Sequence, residues 1–479
     1  MKNFTSSKDI SEKSDEAKTI ALNKGFESLN LHANLQSNLK ELGFVKMTPI
    51  QKLSLPKIIA GNDIIAKAKT GSGKTAAFGL GLLNKLDVKK FRIQSLTLCP
   101  TRELADQVAK EIRTLGRKIH NIKVTTLCGG SAFGPQKGSL EHGAHIVVGT
   151  PGRIEEHLRK KTLLLEHLNT LVLDEADRML DMGFGESITE IIRCLPKKRQ
   201  NLLFSATYPL NIGELASKVM IRPHLIEAED QHNENTIRQL LYQIPDKSKR
   251  IDCLLGLLQK FNPDSALVFC NTKKLTEDVA LALRNIGFSC VALHGDMEQK
   301  DRNQTLVKFG NKSLSVLVAT DVAARGLDIE SLDLVVNYHL PRDPEVHTHR
   351  IGRTGRAGNK GLACSLFHES EEYKIEILEK TLSQPIDRTF VDSVEKDFTP
   401  TQPNMTTLQI EGGKKQKIRP GDILGALTRE NGIEACDVGK INISETSTFV
   451  AIKRHSLKKA LEVLNNGKIK GKNFRARKI

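Results

Sequence analysis

The sequence is poor in the features that mark several large classes of protein. Its 479 residues contain no Trp, and aromatic side chains make up only 4% of them. So few rings argue against a surface that stacks many bases on aromatic side chains. No apolar run approaches the roughly 18 residues that span a bilayer. Residues 1–24 are polar and lack the apolar core of a secretory signal, so we expect a mobile tail on a cytoplasmic protein.

Cysteine is present, but not in patterns that bind metal or form disulfides. None of the eight cysteines belongs to a C-x-x-C pair, and several lie in apolar, strand-like runs. We therefore expect small core residues in a reducing cytoplasm and neither zinc ligands nor disulfides.

Negative charge is in deficit, with 56 Asp and Glu against 72 Lys and Arg and a net charge of +16. The excess is concentrated at residues 404–479, which hold 16 Lys and Arg against 7 Asp and Glu. This charge predicts a polyanionic partner, although charge alone does not separate RNA from DNA or membrane.

The chain length predicts two or three domains. Apolar β runs alternate with helical stretches in two long segments, the pattern of parallel α/β sheets. Polar stretches at 229–236 and 399–404 are predicted linkers. The predicted domains are therefore residues 25–228, 237–398 and 405–479.

A Gly-rich loop joins a short apolar strand near residue 64 to a helix that begins at Ala76. Gly71 and Gly73 let the backbone curl around phosphate oxygens, which successive N–H groups at a helix N-terminus bind. Lys74 would lie along the β- and γ-phosphates, and the Thr75 hydroxyl would hold Mg²⁺. The loop departs from the usual template only at its first position, Ala68. It predicts ATP and Mg²⁺ as ligands.

An acidic segment follows the apolar run Leu171–Leu173 and lies where ligands collect in open α/β sheets. Asp174 is the expected Mg²⁺ holder, and Glu175 the residue that orients and deprotonates the attacking water. Read alone, the segment is also compatible with an ordinary solvated helix start.

Three arginines are spaced three residues apart at 350, 353 and 356. On a helix their guanidinium groups would share one face, suited to phosphate contact and to the charge of a phosphoryl-transfer transition state. The open alternative is a helix that binds nucleic-acid phosphates or solvent.

Taken in order, these motifs resemble the DEAD-box RNA helicases over residues 24–385. The resemblance implies two RecA-like parallel-sheet domains, of which only the first carries a nucleotide loop. It also implies that Gln51 reads the adenine edge and that Phe26 packs on the base, which favours ATP over GTP. His347 stands where the family has Tyr.

The resemblance assigns further residues to three tasks. The implied catalytic residues are Lys74, Asp174, Glu175, Arg353 and Arg356. The implied ATP contacts are Phe26, Gln51, Ala68, Lys69, Thr70, Gly71, Ser72, Gly73, Lys74, Thr75, Gly326 and Asp328. The residues implied to couple hydrolysis to strand separation are Asp177, Ser205, Thr207 and His349. The implied RNA contacts of the two domains are Thr101, Arg102, Gly129, Gly130, Thr150, Gly152, Arg153, Gln299, Arg302 and Thr320.

The basic C-terminal segment has a β-α-β-β-α-β pattern that suits a small α+β module similar to an RNA-recognition motif. Only Phe449 lies where a base-stacking ring is expected. Recognition would then depend on basic residues, unless these only solubilise the surface: Lys414, Lys415, Lys417, Arg419, Lys453 and Arg454. The module resembles that of a bacterial branch of the family, which implies a target in 23S ribosomal RNA and a role in large-subunit assembly.

The expected function is therefore RNA-dependent ATP hydrolysis that remodels or locally unwinds RNA, by a protein expected to be a monomer. Two alternatives remain open at this point. One is an ATP-dependent clamp that places ribosomal RNA without productive unwinding, and the other is a DNA helicase.

Overall fold

The computed structural model describes residues 25–68, 71–208, 210–228, 237–324, 332–355, 361–382, 384–390 and 398–479. The expected tail at 1–24 and the expected linker at 229–236 lie outside these ranges. The chain divides into two compact units near residue 233.

The first unit contains a parallel sheet with strand order β3-β4-β2-β5-β6-β1-β7. The strands are β1 Ile64–Lys67, β2 Ser95–Leu98, β3 Val124–Leu127, β4 Ile146–Gly149, β5 Thr170–Asp174, β6 Gln200–Ser205 and β7 His224–Glu227. The central strands are buried along their whole length, because helices cover both faces of such a sheet.

Two helices of this unit precede β1, and the other described helices lie between successive strands. The helices are α1 Ala33–Glu41, α2 Pro49–Ile59, α3 Lys74–Lys85, α4 Arg102–Leu115, α5 Phe133–Glu141, α6 Pro151–Arg159, α7 Ala176–Asp181, α8 Gly185–Arg193 and α9 Leu210–Val219. Local sequence sets several of their starts. Thr101 accepts a hydrogen bond from the Leu104 N–H at the start of α4, and Pro151 occupies the first turn of α6.

The second unit contains a similar parallel sheet, with strand order β10-β11-β9-β12-β13-β8-β14. Its strands are β8 Ile237–Gln243, β9 Ala266–Phe269, β10 Cys290–Leu293, β11 Val316–Ala319, β12 Leu334–Asn337, β13 Gly361–Phe367 and β14 Asp387–Phe390. Its helices are α10 Arg250–Phe261, α11 Lys273–Asn285, α12 Gln299–Gly310, α13 Asp321–Ala324, α14 Pro344–Ile351 and α15 Glu372–Leu382.

The C-terminal module also belongs to the second unit. Its antiparallel sheet has strand order β16-β17-β15-β18. The elements are β15 Met405–Ile410, α16 Pro420–Leu427, β16 Val438–Ile443, β17 Thr448–Lys453, α17 Leu457–Asn466 and β18 Ala476–Lys478. The predicted β-α-β-β-α-β order and the predicted fold class are therefore confirmed.

All eight cysteines are free. Six are buried, whereas Cys194 and Cys436 are exposed, so the prediction of core positions is wrong for these two. Cys194 directly follows α8, and Cys436 lies in the single turn Ala435–Asp437. Neither residue is on a buried strand.

Candidate nucleotide and RNA sites

Three adjacent strands of the first sheet lead to the predicted nucleotide residues. β5, β6 and β1 are neighbours, and parallel strands end at the same edge of a sheet. They lead to Asp174, to the segment that begins at Ser205, and to the Gly-rich loop. The strand order of the sheet thus places these three segments side by side.

The next three strands lead to the predicted RNA contacts of the same domain. β3, β4 and β2 are also neighbours at this edge. They are followed by Gly129, by Thr150 and by Thr101. One edge of the sheet therefore carries a nucleotide half and, beside it, an RNA half.

The Gly-rich loop has backbone conformations that favour glycine. Gly71 and Gly73 have φ angles of +85° and +90°. Lys74 is buried, and its Nζ donates a hydrogen bond of 2.8 Å to the Ala68 carbonyl. The predicted contacts Lys69 and Thr70 lie outside the described residues. The ammonium group of Lys74 thus has a backbone oxygen as its partner.

Gln51 connects the start of α2 to this loop. Its Oε1 accepts from the Thr48 N–H at 2.9 Å, and its Nε2 donates to the Gly73 carbonyl at 3.1 Å. A Cβ on Gly73 would lie 2.4 Å from that nitrogen, so glycine is needed there for a second reason. Phe26 is buried, with its ring centroid 5.8 Å from that of Phe44. Contact of Gln51 and Phe26 with adenine stays a prediction.

Asp174 ends β5 and is only 3% exposed. Its Oδ1 has no hydrogen-bond partner among the described residues. Burial raises the pKa of this carboxyl to about 7, against the opposing effect of the Lys74 charge. A buried carboxylate oxygen without a partner suits a divalent cation, which prefers oxygen ligands. The hydroxyl of Thr75, in the first turn of α3, is of the same donor type.

Glu175 is held by a residue that the sequence reasoning missed. It has a left-handed φ of +52°, and its Oε2 accepts a 3.0 Å hydrogen bond from Arg178 Nη1. Both side chains are about 5% exposed. The Glu-x-x-Arg spacing at the start of a helix is a signal that could have identified this pair.

Asp177 binds the segment at the end of β6. Its Oδ2 accepts from the N–H groups of Ala206 and Thr207, both at 3.1 Å, and from Thr207 Oγ1 at 3.2 Å. The acidic segment is thus hydrogen-bonded to the segment that follows β6. Ser205 Oγ is buried and has no hydrogen-bond partner among the described residues. The other expected coupling residue, His349, lies on α14 of the second unit.

In the RNA half, Arg102 lies against the Gly129–Gly130 turn. A Cβ on Gly130 would come within 1.8 Å of Arg102 Nη1, and Gly130 has a φ of +67°. Glycine is therefore required for this guanidinium to lie over the backbone. Arg102 is thus brought together with Gly130, and contact of these residues with RNA stays a prediction.

Arg153 is positioned by Gln136, a second residue that was missed. Its Nη1 donates 3.0 Å hydrogen bonds to the Ser131 carbonyl and to Gln136 Oε1. Gln136 also donates to the Cys128 carbonyl at 2.9 Å and lies 3.2 Å from His157 Nε2. One amide thus joins the turn after β3 to the segment after β4. No local pattern in the sequence identifies it.

Two other predicted contacts in this half are placed by α6. Thr150 precedes the helix, and its N–H donates to the Leu127 carbonyl at 3.1 Å. Gly152 is exposed, and a Cβ there would meet no heavy atom within 4 Å.

In the second unit, the prediction that three arginines share one helix face is wrong. Helix α14 ends at Ile351, and Arg353 lies beyond Gly352. Arg350 is 2% exposed and donates to both carboxylate oxygens of Asp321, at 2.6 and 2.7 Å. It therefore holds α14 to the start of α13. Arg353 is 5% exposed, and Arg356 lies outside the described residues.

The departure at His347 has a packing explanation. Its ring is buried, with Nδ1 3.3 Å from Asn337 Nδ2 and Nε2 3.0 Å from Gln239 Oε1. Burial, with a smaller effect of the Arg350 charge, lowers the pKa of His347 to about 4. A neutral imidazole therefore fills this position.

The remaining predicted contacts of this domain surround the end of β11. Thr320 follows that strand, and Arg302 Nη2 donates 2.9 Å to the Ala323 carbonyl of α13. Gln299 lies one turn earlier on α12 and donates to Asn303 Oδ1 at 2.7 Å. The structure brings Arg302 and Thr320 into one region, whereas Gly326 and Asp328 lie outside the described residues.

The predicted basic residues of the module fall into two groups. The first, a basic turn, is exposed and comprises Lys414, Lys415, Lys417 and Arg419. In the second group, Lys453 Nζ lies 3.1 Å from Asp437 Oδ1, and Arg454 donates to the Pro403 carbonyl. The basic turn is thus the more accessible of the two groups. Across the described residues, no helix is both long and apolar enough to cross a membrane.

Three segments of the chain match known protein families. Residues 48–215 match the DEAD/DEAH box helicases, residues 247–358 match the helicase conserved C-terminal domain, and residues 407–478 match the DbpA RNA binding domain. These ranges lie within the first sheet domain, the second sheet domain and the module, in that order.

The similarity extends over nearly the whole chain. It is 51% identical to the ATP-dependent RNA helicase DbpA of Escherichia coli, over 94% of this chain and 99% of that protein. It is 37% identical to DbpA of Bacillus subtilis, over 95% and 99%. The Saccharomyces cerevisiae Dbp5 structure bound to RNA and ADP BeF3 superposes with a TM-score of 0.71 and 32% identity, over 77% of this chain and 96% of that one. The two sheets are therefore RecA-like, and the chain belongs to the DbpA-like DEAD-box ATP-dependent RNA helicases, which hydrolyse ATP in an RNA-dependent manner.

Proposed function

We propose that this helicase acts on 23S ribosomal RNA during assembly of the large ribosomal subunit, and that its C-terminal module selects the target. The observation that carries this proposal is the exposed basic turn of a module whose residues 407–478 match the DbpA RNA binding domain. The resemblance of that module implies the 23S target. Four exposed cations in one turn supply the phosphate contacts that position an RNA-binding surface.

At the nucleotide half of the first sheet, Lys74 binds the β- and γ-phosphates in exchange for the Ala68 carbonyl. Thr75 and Asp174 are the residues that would hold Mg²⁺. When bound, the ion neutralises charge on the phosphate oxygens. Support for this assignment comes from the partnerless Asp174 oxygen and from the raised pKa of its carboxyl, which a cation would lower.

Glu175 takes the proton of the attacking water. Its hydrogen bond from Arg178 fixes the carboxylate on one side. Arg178 is therefore a positioning residue. Arg353 and Arg356 of the second domain then offset the charge that develops during phosphoryl transfer, and Gly326 and Asp328 contact the nucleotide.

Strand separation follows from closure of the two domains on ATP and RNA together. RNA contacts from both domains then form one groove that accepts only a bent single strand. Three hydrogen bonds accepted by Asp177 couple the position of the acidic segment to that of the Ser205–Thr207 segment. ATP acts by shifting the population of molecules toward the closed arrangement. Hydrolysis and loss of phosphate reopen the domains and so reset the cycle.

The test is steady-state ATPase activity of the full chain with no RNA, with generic RNA and with 23S ribosomal RNA. A variant with alanine at 414, 415, 417 and 419 removes the basic turn. The matched control places alanine at the exposed Lys458 and Lys459 of the same module. We expect the first variant to lose its preference for 23S RNA and to keep stimulation by generic RNA. Equal stimulation by both RNAs in the unaltered protein would refute the ribosomal target.

A duplex-displacement assay on the same samples separates unwinding from clamping. ATP-dependent displacement of a short strand next to the 23S target supports remodelling by unwinding. ATP turnover with tight RNA retention and no displacement would instead support the clamp.

A further inference from the structure

The first sheet domain has a cavity at the edge of its sheet that lies opposite the nucleotide and RNA residues. Three loops form most of its wall, and they precede the neighbouring strands β2, β4 and β5: residues 91–93, 140–144 and 161–164. Because these strands are parallel, their amino ends share one edge and their carboxyl ends share the other. The cavity has a volume of about 510 Å³, which is within the range of ligand-binding clefts.

Part of the cavity wall is apolar and open to solvent. Phe91 is 39% exposed and Leu164 is 65% exposed. The Phe91 ring is nevertheless fixed in place, because it lies edge-on to the His145 ring with 4.6 Å between centroids and packs against Gly143. A Cβ on Gly143 would lie only 2.3 Å from a carbon of that ring. An exposed ring that its neighbours already hold loses little side-chain entropy when a partner binds to it.

The same wall carries a cationic rim, which comprises Arg92, Lys137 and Lys161. All three side chains belong to exposed residues. Against them stands one carboxylate, Glu141, whose Oε1 lies 3.7 Å from Lys137 Nζ in an exposed pair. Lys161 has no acceptor for its ammonium group within the described part of the chain. The apolar wall is therefore bordered by net positive charge, which is complementary to an anionic partner.

The backbone around the cavity is not arranged to bind phosphate. Phosphate sites in proteins commonly use free N–H groups of turns and helix starts. Here the N–H groups of Gly143, Lys161 and Thr162 donate to carbonyl oxygens of their own turns, at 2.8 to 3.0 Å. An anion would therefore meet long side chains and few backbone donors. This suits the spaced carboxylates of a peptide better than the compact phosphates of a nucleotide or an RNA strand.

Hydrogen bonds connect the cavity to the RNA half of the sheet. Thr162 lines the cavity, and its Oγ1 lies 2.8 Å from Nδ1 of the buried His157. His157 Nε2 lies 3.2 Å from Gln136 Oε1, the oxygen that also accepts from Arg153. With its proton on Nε2, a neutral imidazole donates to Gln136 and accepts from Thr162. The chain of contacts from the cavity to Arg153 is then continuous.

Two helices join the same two places. Both α5 and α6 begin in the RNA half, beside Gly130 and at Thr150, and both end at loops that line the cavity. Each has nine residues and is therefore about 13 Å long. A ligand that restrains the ends of these helices also restrains their starts.

We propose that this cavity is a docking site for an acidic peptide segment of a partner protein, and that its occupancy strengthens RNA binding through Arg153. A large apolar side chain of the peptide packs on Phe91 and Leu164, and its carboxylates face the cationic rim. Docking is independent of the 23S assignment. The effect on RNA depends on the predicted contact of Arg153 with RNA.

The first test selects short random peptides, displayed on phage, on the full chain with excess unlabelled RNA covering its RNA-binding surfaces. We expect enrichment of acidic peptides that contain a large apolar residue. Synthetic copies are then titrated by fluorescence anisotropy without RNA. Leu164→Asp and Lys161→Glu should each weaken binding about tenfold or more, because each places a negative charge against the peptide.

The matched controls are Ile221→Asp and Lys110→Glu, which make the same kinds of change at exposed positions elsewhere on this domain. Both should bind the peptides like the unaltered protein. All four positions are exposed, so the variants should fold. Failure to enrich acidic peptides, or equal binding to the unaltered protein and to Leu164→Asp, would overturn docking in this cavity.

The second test measures the Kd for labelled single-stranded RNA, with a non-hydrolysable ATP analogue, in the absence and presence of saturating selected peptide. We expect the peptide to lower this Kd about fivefold or more, and RNA to strengthen peptide binding by the same factor. Thr162→Val should bind the peptide and lose this mutual effect. An RNA Kd that bound peptide leaves unchanged would refute the coupling. Arg153→Ala without peptide separates the two causes of that result, because an unchanged RNA Kd in this variant would instead refute the RNA contact.

Discussion

Glu175 and Arg178 form an ion pair that is almost completely removed from solvent, with 3.0 Å between Oε2 and Nη1. The proposed general base is therefore restrained inside the first RecA-like domain. Removal of either partner of such a buried pair destabilises the protein, because the other partner is left as an uncompensated charge.

We expect Arg178→Ala to lower the free energy of unfolding by about 3–5 kcal/mol, because it strands the Glu175 carboxylate in the interior. Denaturant unfolding measures the change. Arg193→Ala is the control, since its pair with Glu190 has the same spacing but is exposed and contributes about 0–1 kcal/mol. Similar losses in the two variants would contradict the importance of burial.

Glu175→Gln should retain ATP and RNA binding and lower the hydrolysis rate by about 10²–10⁴-fold, the usual contribution of a general base. Single-turnover hydrolysis and nucleotide binding are measured on the same sample. The variant should also release RNA slowly, because the cycle stalls before phosphate loss. Normal turnover would refute the assigned role.

Asp174 should make stability depend on pH in a characteristic direction. Its carboxyl has a pKa of about 7 in the folded protein and an ordinary value of 3.8, so the folded state binds more protons between these values. The stability from this group is complete below about pH 4 and is lost as pH rises to about 7. In metal-free buffer we compare the free energies of unfolding of Asp174→Asn and of the unaltered protein. From pH 4 to pH 8, the difference between them should therefore change in favour of Asp174→Asn by on the order of 4 kcal/mol. Parallel pH profiles of unfolding free energy would contradict this.

Asp177→Asn should separate ATP hydrolysis from strand displacement. It removes the carboxylate that accepts from Ala206 and Thr207, whereas Thr207→Val removes only the 3.2 Å hydroxyl bond. We expect displacement per ATP hydrolysed to fall about tenfold or more in Asp177→Asn and less in Thr207→Val, since a hydrogen bond to a charged group contributes about 1.5–3 kcal/mol. The reverse order would argue against coupling through this carboxylate.

Gln136→Ala should weaken RNA binding without changing the rate at saturating RNA. The amide holds Arg153 and the turn after β3 in one arrangement. The half-saturating RNA concentration for ATPase activity should rise about tenfold, as expected for loss of a hydrogen bond to a charged donor. The adjacent Lys137→Ala, which removes only a 3.7 Å pair with Glu141, should have little effect. An effect on the maximal rate alone would contradict a positioning role in RNA binding.

Much of this arrangement could be predicted from the sequence, because local patterns encode it. The strand before Ala68 and the helix after Gly73 follow from short-range preferences, and parallel strands then place Asp174 at the same edge. The prediction that Arg350 and Arg353 share one helix face is wrong for an equally local reason. The helix ends at Ile351, directly before Gly352, and glycine is a poor helix former, so the helix does not continue through the three-residue spacing.

What could not be predicted depends on contacts between distant segments. Gln136 bonds to Cys128 and Arg153, and Thr407 bonds to residues about ninety positions away. No periodicity marks such residues, since their role comes from the tertiary packing. Arg178 is intermediate, because its spacing from Glu175 was visible and its burial was not.

The two ends of helix α12 carry residues with different expected roles. Gln299 and Arg302, implied RNA contacts, lie in its first turns, and Asn311 directly follows its last residue, Gly310. At 1.5 Å per residue its 12 residues span about 18 Å. Because Asn442 of the module donates to Asn311, α12 lies between the expected RNA contacts of the helicase core and the module that we propose selects the RNA. The place where the RNA opens would then be set by a helix length, and an added turn of about 5.4 Å would move it.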